Sequence, residues 1–254
     1  MQDSENKKNA RKDYYKILIA GIFTYIAFVA ILFLLAWRID YWQAWIYGIT
    51  GMIMILIASF AFRNHPDLIK ERAKPGPGTK KWDKVFWALF GPMMFLIILI
   101  AALDAGRFGW TSNLLTPKLS LSLYNFLGWT TDFPWWVYII AYAVYFYAQF
   151  LKYWCMWSNR WFSSTVRIQF DRDHKVVQDG PYRFIRHPGY VSGILIGYGS
   201  SLVLGSLYGL IPASVVLVLL VIRTSLEDKT LQKELPGYAE YAKKTRYRLL
   251  PGIW

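Results

Sequence analysis

Apolar residues in this chain fall in long unbroken runs. Ile17–Trp37, Tyr41–Phe62 and Val85–Leu103 contain no charged residue, and Trp135–Trp157 contains only Lys152. A helix crossing the hydrocarbon core of a bilayer takes about 20 apolar residues, so each run predicts one membrane helix. A fifth run, Tyr190–Ile222, is 33 residues long. As one helix it would measure about 50 Å, too long for a single crossing. Gly205-Ser206 lies near its middle and predicts a hairpin of two short or tilted helices, with one long tilted helix as the alternative. Beyond it, Leu226, Leu231, Leu235 and Tyr238 recur at roughly helical spacing. They predict an amphipathic cytoplasmic helix over 223–248, broken at Pro236-Gly237. The expected fold class is an all-α integral membrane protein. It has about six membrane helices, the last two a short helical hairpin, and a cytoplasmic C-terminal helix.

The intervening segments differ in character. Residues 1–13 are polar and read as frayed or interfacial. The 63–84 loop carries Pro66, Pro75, Gly76, Pro77 and Gly78 and cannot be one helix. The 104–134 segment mixes Trp110, Tyr124, Phe126 and Trp129 with Ser, Thr and Pro, a composition suited to the outer interface. No repeat or low-complexity tract interrupts the chain, and no cleavage site follows the first apolar run. We read one structural domain in two parts: N-terminal spans and loops over 1–148, and a chemistry-bearing region over 149–254.

Composition agrees with a lipid environment, since 18% of residues are charged against about 25% in soluble domains. The net charge of +13 could suggest nucleic acid, but position accounts for it better. Of the 29 Lys and Arg, five fall in 1–16, seven in 63–84, six in 158–188 and seven in 223–254, against two in 104–134. The positive-inside rule then puts both termini and the 63–84 and 158–188 loops in the cytoplasm and 104–134 outside. This needs the 190–222 run to turn back. One cysteine, Cys155, excludes an intramolecular disulfide and a cysteine-only metal site and reads as packing.

The chemistry is gathered late in the chain. With only His65, His174 and His187, and no HExxH, a catalytic metal site is not expected. GxGxxG after a strand, GxxxxGK[ST] and GxSxG are absent. The dense cluster is Gly180-Pro181-Tyr182-Arg183-Phe184-Ile185-Arg186-His187-Pro188-Gly189-Tyr190. Pro188 suits the first turn of a helix re-entering the membrane, whose free N–H groups would favour a carboxylate or a ribose oxygen. The same residues also make an ordinary basic membrane-entry loop. Arg223 and Glu227 lie one turn apart, which by itself is a weak i,i+4 pair.

Taken together, GPYRFIRHPGY, an apolar hairpin, Arg-x-x-x-Glu and PGYAEYAKKTRYRLLPGIW closely resemble the isoprenylcysteine carboxyl methyltransferase family. Its bacterial-type integral membrane relatives are related to the phospholipid methyltransferases. The resemblance covers roughly 149–254. It implies an S-adenosyl-L-methionine-dependent transferase whose cofactor sits between the re-entry loop and the C-terminal helix. It assigns His174, Lys175, Val176 and Val177 to the cofactor's border, followed by Tyr182, His187, Pro188, Gly189 and Tyr190. The acidic contact falls on Glu227, and the arginine that clamps a substrate carboxylate falls on Arg223. The family's glutamine seven residues before the first histidine is replaced here by Arg167, with Gln169 two residues on. The implied acceptor is a lipophilic or lipidated carboxylate arriving through the bilayer, with the active site facing the cytoplasm. An NADPH-dependent membrane reductase of the sterol-reductase type and a non-enzymatic lipid-binding protein are the alternatives.

Overall fold

A computed structural model describes residues 2–73, 76–115 and 133–254. The helices are α1 (Gln2–Ala36), α2 (Trp42–Ala61), α3 (Pro66–Ala73), α4 (Lys81–Ala101), α5 (Trp110–Leu115), α6 (Trp135–Ser158), α7 (Pro188–Val203), α8 (Leu210–Glu234) and α9 (Tyr238–Lys244). Among the described residues there is no strand. Among the described residues, four helical segments are long and apolar enough to cross a membrane: Lys12–Ala36, Trp42–Ala61, Lys81–Phe108 and Leu210–Glu234. Large apolar side chains such as Phe23, Phe60 and Ile211 project outward from them, as suits lipid.

That measure gives four candidate spans where about six helices were expected. The other two fall short for different reasons. α7 has 16 residues, below the roughly 20 a full crossing takes. α6 is long enough at 24 residues, but its Tyr and Trp rings with polar tips, Gln149 and Lys152 lower its hydropathy. The two pack on each other in the most extensive helix contact of the protein. Gly199 permits it: a Cβ there would sit 3.3 Å from the Tyr145 Cα.

The 190–222 run does turn back. α7 and α8 lie antiparallel, with Gly193 beside Leu220 and Gly197 beside Ala213. Gly205, at φ +82°, makes the turn in a conformation that side-chain-bearing residues avoid. Ser206 Oγ accepts the Gly209 N–H at 3.0 Å and donates to Asp104 Oδ2 at 2.6 Å. α8 then runs on without interruption to Glu234, so the expected separate helix from 223 is the extension of a membrane helix. It breaks at Leu235–Gly237, where Gly237 has φ +84°, before α9.

Two loops hold more structure than their composition suggested. Pro66 begins α3 within the 63–84 segment, because a first-turn proline has no N–H to lose. α4 continues as a π-helix over Ala102–Phe108, ended by Gly109 in the left-handed region. There Asp104 is fully buried and accepts from the Thr111 N–H at 2.6 Å, the Thr111 hydroxyl and Ser206. The expected interfacial residues Tyr124, Phe126 and Trp129 lie outside the described residues.

The core has two main parts. One joins Leu32, Tyr41, Ile97, Ala141, Val203 and Val216 from the spanning bundle. The second joins Leu151 and Cys155 of α6 to Ile168, Tyr182, Tyr238 and Tyr241, fastening the loop region and α9 to the bundle's end. Cys155 is buried packing, as its place in an apolar run suggested.

Candidate functional site

The 159–187 segment has little regular structure and is held by side-chain bonds. Trp161 Nε1 donates to the Arg172 carbonyl at 2.9 Å, and Gln169 Nε2 donates to the Trp161 carbonyl at 2.7 Å. Arg172 Nη1 reaches Gln169 Oε1 at 2.6 Å. His174 stacks on Trp161 with centroids 5.5 Å apart, and its Nδ1 accepts the Gln169 N–H at 3.3 Å. Burial and the charges of Arg167 and Arg172 push the His174 imidazole down to about 4, so it is neutral at pH 7.

Arg167 joins this segment to the 63–84 loop. Its Nε and Nη2 make a bidentate pair with Glu71, both at 2.9 Å, and Nη1 reaches Asp171 at 2.7 Å. Asp83 Oδ2 accepts the Val166 N–H at 2.8 Å, and the Val166 carbonyl accepts the Lys80 N–H at 3.1 Å. These contacts hold the 63–84 and 159–187 segments together as one layer.

A second cluster centres on Asp228, which is fully buried. Arg186 donates to it twice, at 2.8 and 3.0 Å. Tyr238 at 3.0 Å, Gln232 at 2.8 Å, Arg248 at 3.0 Å and His187 Nε2 at 3.2 Å complete its shell. Asp228 thus ties the turn before α7, the end of α8 and the C-terminal segment at one carboxylate. His187, fixed from behind, lies 5.6 Å from the Tyr190 ring and within 7° of parallel to it.

Arg223 and Glu227 face the same way from α8, yet they do not pair with each other. Tyr190 donates its hydroxyl to Glu227. The Arg223 guanidinium sits 4.2 Å over Phe86, 5.3 Å from Tyr190 and 5.4 Å from Trp87. Its Nη2 donates to the Ser164 carbonyl at 2.8 Å. The same nitrogen lies 2.9 Å from Asp83 Oδ1, an ion pair by distance. Asp83 Oδ1 and Arg223 Nε both lack a hydrogen bond while buried.

These groups surround one cavity of about 350 Å³. Arg167, Gln169, His174, Lys175, Val176, Val177, Tyr182, His187, Gly189, Tyr190, Arg223 and Glu227 all line it. Pro188 does not; it is buried in the first turn of α7. Several lining residues are already engaged: Arg167 by carboxylates, Gln169 by Trp161 and Arg172, and exposed Lys175 by Asp173 at 2.9 Å. The wall also draws on Arg72, Trp87, Phe90 and Met94 from the N-terminal half. Burial holds the Tyr182 phenol well above its usual range, and Asn159 Nδ2 donates to it at 3.3 Å. Asp228, Asp83 and Glu71 escaped the sequence reading. Asp228 is adjacent to Glu227, and the other two sit in a loop noted only for its basic charge and prolines.

Residues 136–236 match the model of the phospholipid methyltransferase family. The matched stretch runs from α6 to the break after α8 and holds His187, Tyr190, Arg223, Glu227 and Asp228. Comparison of the chain with curated proteins gives no match.

Proposed function

We propose that this chain, whose residues 136–236 carry a phospholipid methyltransferase family domain, is an integral membrane methyltransferase using S-adenosylmethionine. Its acceptor is lipophilic and carboxylate-bearing, as in the isoprenylcysteine carboxyl methyltransferases that the C-terminal motifs resemble. The observation that carries this reading is the cavity between the α7–α8 hairpin and the 159–187 layer. Its volume of about 350 Å³ falls in the range of roughly 300–1,000 Å³ usual for small-molecule sites.

The residues present suit such a cofactor. Tyr190, Trp87 and Phe162 bring aromatic rings to the cavity wall, where a sulfonium is favoured. Glu227 accepts from Tyr190 through one oxygen and keeps the other for ribose or amine donors. Gly189 has no side chain to fill the space in front of Phe162, where a Cβ would come within 2.8 Å of the ring. When bound, the cofactor supplies an electrophilic methyl group on a sulfonium.

The chain's own part is orientation and exclusion of water. His187, pinned by Asp228, holds the Tyr190 ring in place and is a positioning residue. Arg223 Nε is a buried donor with no partner and would take an oxygen of the acceptor. Leu220, Ile196, Phe90 and Met94 make the apolar wall toward the hairpin. A carboxylate acceptor is already a nucleophile and needs no general base. Residues 149–254 supply most of the cofactor side, and the spans of 1–148 help select the acceptor. The charge distribution supports a cytoplasmic cavity and cytoplasmic termini.

Calorimetry on detergent-purified protein tests this. Micromolar binding of S-adenosylhomocysteine is expected. Glu227→Gln and His187→Ala should weaken it, and Arg223→Gln should mainly lower turnover. Binding of NADPH in its place would favour a reductase, and binding of neither a non-enzymatic lipid-binding role.

A further inference from the structure

The charges lining the cavity can be paired off in turn. Arg167 is held by Glu71 and Asp171, Arg186 by Asp228, and Lys175 by Asp173, while Arg223 lies against Asp83. Two cations are left over. Arg72, in the last turn of α3, and Lys152, on α6, both line the cavity and are both half-buried. Among the described residues, no carboxylate lies within ion-pairing distance of either.

Their close neighbours are neutral. The Arg72 guanidinium sits 4.8 Å over the Phe162 ring. Lys152 donates to Gln149 and lies 4.5 Å from the Tyr153 ring. The two cations are near enough for their charges to repel. Withdrawing like charges from water side by side is unfavourable unless something negative joins them. The fold nevertheless holds them there. Glu71, next to Arg72, is locked to Arg167, and Lys152 stands on a packed helix.

We propose that Arg72 and Lys152 form an oxyanion subsite of this cavity, taking the carboxylate or phosphate of the lipophilic acceptor. The inference rests on reading the cavity as a methyl-transfer site. Position favours the acceptor as the source of the anion. Lys152 lies six residues before the end of α6, about 9 Å into the bundle at 1.5 Å per residue, whereas Arg72 reaches in from the loop layer. An anion between them sits at the boundary between bilayer and cytoplasm, where the head of an anionic amphiphile rides. The cofactor's amino-acid carboxylate offers the same chemistry, so the test must separate the two.

The full chain is placed in phosphatidylcholine nanodiscs at pH 8, and S-adenosylhomocysteine affinity is measured first. Quenching of tryptophan fluorescence is then titrated with dibromostearate and with dibromostearyl alcohol, since Trp87 and Trp161 line the cavity. The acid should quench at a concentration at least tenfold lower than the alcohol. Arg72→Gln/Lys152→Gln should abolish that preference with S-adenosylhomocysteine affinity unchanged, and Arg72→Lys/Lys152→Arg should keep both. The single Lys152→Gln variant, expected to lose most of the preference, serves if the double variant does not fold. Equal quenching by acid and alcohol in the wild type overturns the subsite, as does a preference that survives Arg72→Gln/Lys152→Gln. If that variant weakens S-adenosylhomocysteine but not 5′-methylthioadenosine, which lacks the carboxylate, the anion belongs to the cofactor and the acceptor assignment falls. A wild type that binds no S-adenosylhomocysteine defeats the methyltransferase reading instead, and the acid–alcohol comparison still decides the subsite.

Discussion

Asp228→Asn is the substitution whose consequence follows most directly from the geometry. The change keeps the shape of the side chain and removes its charge. Arg186, whose side chain is 7% exposed, then becomes a buried cation without a counter-charge. Breaking a buried pair by removing one partner costs about 3–5 kcal/mol. Arg186 Nη1 would still donate to the carbonyls of Thr245 at 3.0 Å and Arg246 at 2.9 Å, so the lower end of that range applies. For a chain of this size, each kcal/mol moves the melting temperature by about 2–4 °C, giving a fall of about 6–12 °C. Thermal unfolding in nanodiscs, followed by tryptophan fluorescence, reads it. Asp228 also clamps Tyr238 and Arg248, so trypsin should cut sooner after Lys243 and Lys244. Replacing both partners with apolar side chains, Arg186→Met/Asp228→Leu, should recover part of the loss, because the one cation still left without Asp228, Arg248, is 31% exposed and reaches water. A melting temperature for Asp228→Asn within about 2 °C of wild type, under about 0.5–1 kcal/mol on the same scale, would refute the view of Asp228 as the hub of this region.

His174 is held neutral by burial and by Arg167 and Arg172, at about 4 against an ordinary value near 6.5. The unfolded chain therefore takes up this proton first, and stability should fall as pH drops from about 6.5 toward 4. His174→Gln should flatten that part of the curve in thermal melts, and an unchanged slope would count against it. Gly199→Val should cost about 1–3 kcal/mol, because its Cβ would press on the Tyr145 backbone at 3.3 Å. A compensating shift of α6 would show as a small effect in chemical unfolding. A cysteine at Ser112, beside the buried Asp104–Thr111 contact on α5, should react with impermeant maleimide only from outside the cell. Cys155 is buried and adds little background. Labelling from the cytoplasm would reverse the proposed orientation.

The bundle's outline was readable because lipid imposes one coarse rule, length without charge: Tyr41–Phe62 matches its span to one residue at each end and Ile17–Trp37 does so at its C-terminal end, whereas α1 begins at Gln2, inside the polar segment expected to fray. The turn at Gly205-Ser206 was readable for a related reason, since 33 apolar residues cannot make one crossing. Three features were not. α3 hides in a proline-rich loop because proline in the first turn favours a helix and in the interior opposes it, and only the fold says which applies to Pro66. Asp104 looked like the start of a loop; its burial depends on Ser206, 102 positions away. Asp228 was passed over for its neighbour Glu227. On a helix the two point about 100° apart, and composition cannot tell which one faces six donors and which faces the cavity. The role of Arg167 depends likewise on a distant partner, Glu71, and that of Gln169 on the irregular fold of its own segment, which brings it to the Trp161 carbonyl.

The weak hydropathy of α6 becomes intelligible once its neighbours are considered. Polar groups inside a bilayer must be satisfied by protein. Along α6, Lys152 donates to Gln149, and Gln149 donates to the Tyr145 hydroxyl at 2.9 Å. The Tyr145 ring lies 5.6 Å from Tyr47, whose hydroxyl meets Ser200 Oγ on α7 at 3.2 Å. The polar face of α6 is therefore turned toward α2 and α7 and away from lipid. A helix can thus fall short of a hydropathy criterion and still share a core with the apolar helices, as α6 does through Ala141 and Tyr145. It also bears on the cavity. The line begins at Lys152 on the cavity wall, and the hydrogen bonds through Gln149 to Tyr145, whose ring packs on Tyr47, orient Lys152 within the protein. A lysine fixed in that way can hold an anion at a set place, which positioning for an in-line transfer demands.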